Sequence, residues 1–123
     1  MSEFKYRLAV AKDVNGLGIG VEKIEKGKGK IDDVLYIASI YAPGEFSNRA
    51  AVKTALDEVM ALTDDEIITV QQCSDNVIFH CWVGVRRRFP RIKLVNSKYK
   101  FASVNELAMD ALERKCTIKE NLK

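Results

Sequence analysis

Cysteine is scarce in this chain and odd in number. There are three in 123 residues, at Cys73, Cys81 and Cys116, in unrelated spacings that make no disulfide framework of the secreted kind. Histidine occurs once, as His80. A thiolate at Cys73 with His80 seven residues on is therefore an unsupported dyad. A zinc site built from Cys73, His80, Cys81 and Cys116 lacks the paired Cys-x-x-Cys spacing that structural zinc prefers. Long apolar runs are absent, none approaching the ~20 residues of a membrane helix. The start, Met1-Ser2-Glu3-Phe4-Lys5, is charged from its third residue and has no signal-peptide core. Charge of one sign is also lacking: 20 Lys plus Arg stand against 17 Asp plus Glu, a net +3. That balance permits a nucleic-acid partner without marking a dedicated basic arm. With 47% hydrophobic residues, no repeat and no linker, the expectation is one soluble, cytoplasmic domain spanning 1–123.

What is present is a clear alternation of periods. Phe4 to Ala11 sets Tyr6, Leu8 and Val10 against Lys5 and Arg7, the two-residue period of a strand with one wet face. Asn15-Gly16 then predicts a hairpin turn, since both residues tolerate positive φ. Leu17 to Ile24 predicts a second strand, Lys26 to Lys30 a turn, and Asp33 to Tyr41 a third strand that is apolar at nearly every residue. Pro43-Gly44 ends it. Ser47 or Asn48 caps a helix to about Leu62, with Val52, Leu56, Val59 and Met60 on one face and Ala51 and Ala55 beside them. Ile67, Ile68 and Val70 predict a fourth strand. Ser74-Asp75 opens a short second helix carrying Val77, Ile78, Cys81 and Trp82, and Arg91 to Val95 is a fifth strand. Ser103-Val104-Asn105-Glu106 has the form of a capping box opening a last helix. The order βββαβαβα implies an α/β domain with a mixed five-stranded sheet and helices on its faces. Right-handed crossovers place strands four and five parallel to the first, and the third strand at an edge.

Four segments in this order resemble the ribonuclease H family. Gly16-Leu17-Gly18-Ile19-Gly20 is similar to its Gly-rich hairpin, and Ser47-Asn48-Arg49-Ala50-Ala51-Val52 to the start of its first helix. Ile68 to Ile78, containing Cys73-Ser74-Asp75, is similar to its fourth strand and turn. Asn105-Glu106-Leu107-Ala108-Met109-Asp110-Ala111-Leu112 is similar to its last helix. The resemblance implies a ribonuclease H-like fold across nearly the whole chain. The family cuts the RNA strand of a hybrid with two divalent metals on four carboxylates. Carried over position by position, the helix carboxylate falls on Ala51, the fourth-strand one on Cys73 and the last-helix one on Met109. The first-strand one falls on Ala11 or Lys12, and Ser97 or Lys98 occupies the region of the family's loop histidine. No metal or other cofactor is expected on that pattern. A rearranged nuclease site would have to use Asp13, Asp75 and Asp110, displaced by one or two positions and so turned to other faces.

The Gly16-x-Gly18-x-Gly20 run also invites a phosphate-cradle reading, but no Walker lysine and no helix follow it directly. Charge gives a better lead. Arg86, Arg87, Arg88, Arg91, Lys93, Lys98 and Lys100 fall within fifteen residues that hold no acid, interleaved with Phe89, Tyr99 and Phe101. Asn48, and Ser74 at a helix start, add family-like hydrogen-bonding groups for a backbone. The expected function is a non-catalytic ribonuclease H-like domain binding RNA, DNA or hybrid through Asn48, Ser74, Arg86, Arg87, Arg88, Arg91 and Lys98. The rival is a protein-interaction or homodimer module that uses a vacated Ala51–Cys73–Met109 face or the third strand as an edge. The bland alternative is a solvated loop balanced by the acids of the first helix and of 63–66.

Overall fold

A computed structural model describes residues 4–26, 33–73, 84, 87–97 and 102–122. Strands β1 (Phe4–Asp13), β2 (Gly16–Glu25) and β3 (Asp33–Pro43) form the expected antiparallel meander. Helix α1 (Asn48–Leu62) follows, then β4 (Ile68–Cys73), β5 (Ile92–Ser97), helix α2 (Ala102–Arg114) and β6 (Ile118–Asn121). The sheet runs β5-β4-β1-β2-β3-β6. β4 lies parallel to β1, and β5 parallel to β4, as right-handed crossovers require. The short helix expected over Val77 to Trp82 lies outside the described residues.

Two expectations are corrected by the sixth strand. The sheet has six strands rather than five, and β3 is not an edge. β6 pairs antiparallel with it from Tyr36↔Asn121 to Ser39↔Ile118. That position explains why β3 is apolar at nearly every residue, since a strand with neighbours on both sides and helices on both faces has no wet face. β6 escaped notice because four residues, all exposed, are too short for a period to show.

The alternation in β1 and β2 sorts side chains onto two faces. Tyr6, Leu8, Ile19, Val21, Ala38 and Ile40 pack with Val52, Ala55, Leu56 and Val59 of α1, and with Ile68, Val70 and Ile92. The opposite face carries Ala9 against Val104 and Ala108 of α2. Small residues dominate there because α2 lies directly on the strands. A Cβ at Gly18 would sit far inside contact with the Ala108 carbonyl, and one at Gly20 with that of Val104. The glycine run therefore serves helix docking, not a phosphate.

Local details shift by a residue or two. The β1–β2 loop is Val14-Asn15, and only Gly16 takes a positive φ, 151°. Asp13 closes the turn: its Oδ1 accepts from the Asn15 N–H at 2.7 Å and the Gly16 N–H at 3.2 Å. Ile67 lies outside β4 and is 72% exposed. Ser103 is not a cap, since α2 already begins at Ala102; its hydroxyl donates instead to Glu22 Oε1 at 3.1 Å. No helix among the described residues is long and apolar enough to cross a membrane.

Candidate nucleic-acid interface

The end of β1 meets the start of α1. Ser47 caps that helix, its Oγ accepting from the Ala50 N–H at 3.0 Å. The Gly44 N–H reaches the Asn15 carbonyl at 2.8 Å and ties the two loops together. Between them the Lys12 ammonium donates to Asn48 Oδ1. Ala51, one turn into α1, is fully buried, Ala11 packs half-buried against the α2 side, and Met109 is 63% exposed on α2. A methyl, a thioether and an ammonium offer no hard oxygen to a divalent cation, so the described residues at these positions do not fit the family's metals.

The displaced acids are occupied elsewhere. Asp13 holds its turn, and Asp110 lies 3.8 Å from Arg114 one helical turn on. Asp75 and the Cys73 side chain are outside the described residues. Among those described, no group of three or more His, Cys, Asp or Glu comes together to hold a metal. The expected apolar face is also corrected: Ala51 is sealed under α1 while Met109 is exposed on α2, on the opposite side of the sheet.

The basic residues lie elsewhere. Arg91 Nη2 donates to the Thr63 carbonyl at 2.8 Å, and Thr63 is the C-cap residue of α1. Asn48 opens the same helix, so its 15 residues, at ~1.5 Å each, hold Asn48 about 22 Å from Arg91. The structure thus does not bring Asn48 and the arginines together. Arg87, Arg88 and Lys93 are exposed at and near the start of β5. Phe89 is no stacking ring, being 7% exposed and part of the main core. Asp64, Asp65 and Glu66, all exposed, follow Thr63 and give the arginines acidic neighbours. Ser74, Arg86 and Lys98 lie outside the described residues, as do Tyr99, Lys100 and Phe101.

A polar group on the α2 side of the sheet was not singled out from the sequence. Arg7 Nε donates to Gln71 Oε1 at 3.3 Å across β1 and β4. Arg7 stands opposite Glu22 in β2, a carboxylate only 2% exposed. Burial pushes the Glu22 pKa up, opposed by the Ser103 hydroxyl and the Arg7 charge. On the other face, burial raises the Tyr6 pKa against a smaller opposing effect of Thr63. The Tyr6 hydroxyl and Arg91 Nε have no hydrogen-bond partner of normal geometry among the described residues. Arg7 and Glu22 were legible only as the wet and dry positions of two strands; their pairing is a matter of register.

Topology and helix placement define a ribonuclease H-like domain, and comparison with solved structures agrees. The chain is similar to LC11-RNase H1, isolated from compost by a metagenomic approach, with a TM-score of 0.63 and 16% identity over 94% of this chain and 99% of that one. It is likewise similar to LC11-RNase H1 in complex with an RNA/DNA hybrid, with a TM-score of 0.61 and 16% identity over 92% and 99%. No protein-family model matches the sequence, and no curated protein matches it closely enough to count as a relative.

Proposed function

We propose that this domain binds nucleic acid without cutting it by the two-metal route, through a basic surface gathered around β5. The observation that carries the reading is the cluster of Arg87, Arg88 and Lys93, exposed beside an Arg91 anchored on the end of α1, on a fold whose similar structure was solved with an RNA/DNA hybrid. Arg86, Lys98 and Ser74 extend this surface by their place in the chain, and Asn48 is a separate contact at the other end of α1. Lys12 beside Asn48, with Ala51 beneath, supports a non-catalytic role, because a fixed ammonium repels the cations that hydrolysis needs. Three cysteines in unrelated spacings suit a reducing, cytoplasmic setting.

Fluorescence anisotropy with labelled single strand, duplex and hybrid, at two salt concentrations with and without Mn²⁺, tests this. Binding that weakens steeply with salt, is reduced on every probe by Arg86→Ala/Arg87→Ala/Arg88→Ala, and leaves the probes intact is expected. Undiminished binding by the triple variant would refute the arginine cluster. Absence of binding at low salt overturns the reading in favour of a protein partner, and cleavage in Mn²⁺ overturns the non-catalytic part.

A further inference from the structure

Strand register places a second set of cations beside β5 that no sequence window contains. On β4, Ile68 and Val70 point into the α1 core, as Ile92 and Leu94 do on β5 and Tyr6 and Leu8 on β1. Their neighbours Thr69, Gln71, Lys93, Val95, Lys5 and Arg7 therefore stand on the opposite face. The pairings Tyr6↔Val70, Arg7↔Gln71, Thr69↔Lys93 and Gln71↔Val95 arrange them in two rows: Lys5, Thr69, Lys93, and Arg7, Gln71, Val95. Thr69, Gln71 and Val95 are half-buried and Lys93 exposed, the pattern of a face that no described element covers. The core of α2 sits on the neighbouring strands, over Ala9, Gly18 and Gly20.

We infer that this face is a binding site for the phosphodiester backbone of a single-stranded nucleic acid, a proposal that rests on the reading above and extends it. Charge complementarity selects the occupant. Three cations and two neutral hydrogen-bonding side chains lie within two strand spacings, about 10 Å. The acid among them, Glu22, is buried and already accepts from Ser103. α2 walls one side, leaving a strip that admits one extended strand. Lysine and arginine hold its phosphates without reading bases, while Thr69 and Gln71 add hydrogen bonds to phosphate or sugar. Lys93 continues this strip into the Arg87–Arg91 cluster, so the two form one surface around β5.

The test is titration of a labelled oligothymidylate with Lys5→Gln/Lys93→Gln, Lys5→Arg/Lys93→Arg and the arginine triple variant, at 50 and 200 mM salt. Each phosphate contact contributes about 0.7 to the salt exponent for a single strand. Losing two contacts makes the affinity drop over this fourfold salt range about sevenfold smaller. The arginine-for-lysine pair keeps the wild-type slope. Lys93→Gln alone, at an exposed site that cannot unfold the domain, shrinks the drop about 2.6-fold. An unchanged slope in both glutamine variants, while the arginine triple lowers it, overturns the open face and leaves the reading of function standing. Failure of the wild type to bind overturns both.

Discussion

Replacing Gly20 by alanine should loosen α2 from the sheet, and the structure sets the size of the effect. A methyl there meets the Val104 carbonyl oxygen, with Leu107 Cβ 3.0 Å away, and one at Gly18 meets the Ala108 carbonyl, with Leu112 Cγ at 2.9 Å. Both nearest obstacles are backbone and cannot swing aside, so the helix must lift. Overpacking of this kind costs about 1–3 kcal/mol. Alanine recovers roughly 0.5–1 kcal/mol of strand entropy relative to glycine, leaving a net loss near 1–2 kcal/mol. For a chain of 123 residues, an unfolding entropy of about 2.1 cal/mol/K per residue converts this into a Tm lower by about 4–8 °C. Exposed, helical Gly84, whose added Cβ would meet nothing within 4 Å, supplies the control: Gly84→Ala should leave Tm unchanged or raise it by a few degrees, about 1 kcal/mol at most. Thermal unfolding followed by circular dichroism reads all three variants. A Gly20→Ala protein as stable as wild type would refute the docking argument. Loss of phosphate binding with Tm intact would restore the cradle reading of the Gly16–Gly20 run.

Ser47→Ala removes the cap of α1 and should lower stability by about 1 kcal/mol, with Ser47→Asp restoring it; full stability in the alanine protein would count against the cap. Tyr36 donates to Glu58 at 2.5 Å and Lys119 binds the same carboxylate at 2.8 Å, so Tyr36→Phe should cost about 1–2 kcal/mol in urea unfolding at constant m. Because burial raises the Glu22 pKa above its ordinary 4.5, the ionised form is the disfavoured one in the folded state. The cost is therefore absent at low pH and grows as pH rises through that window. The melting-temperature difference between wild type and Glu22→Gln should move in favour of wild type as pH falls toward 4.5, and a difference independent of pH would contradict this. Mg²⁺ or Mn²⁺ should not raise Tm, whereas a rise of several degrees would reveal a cation site.

The residues that declared themselves in sequence are those whose roles are local. The Tyr6-Leu8-Val10 alternation, the Ser47 cap and the Val52-Leu56-Val59 stripe all depend on neighbours a few positions away, and each stands where its period placed it. What escaped depends on register or on chain ends. β6 offers four residues, too few for a pattern, yet it converts β3 from an edge into an interior strand. Ser103 satisfies the form of a capping box, but a buried carboxylate on β2, 81 residues away, claims its hydroxyl. Phe89 sits between arginines in sequence and inside the core in space, because a ring can turn inward where a guanidinium cannot. The candidate site was thus half legible: its residue types were visible, its division between two ends of α1 was not.

That division decides which element organises the basic surface. A ligand holding both Asn48 and Arg91 must span the length of α1, about 22 Å, past the exposed acid Asp57 on that helix. A ligand holding Lys93 and Arg7 crosses only β4, whose facing residues are Thr69 and Gln71. Like charges this close repel one another unless something neutralises them; here one buried acid, Glu22, does so only in part, and a polyanion completes the balance. Charge density therefore favours the β1–β4–β5 side over the α1 terminus, where Lys12 is already engaged by Asn48 and Glu45 stands nearby in sequence. On this argument the arginine cluster is the rim of the surface, and its centre lies on the sheet.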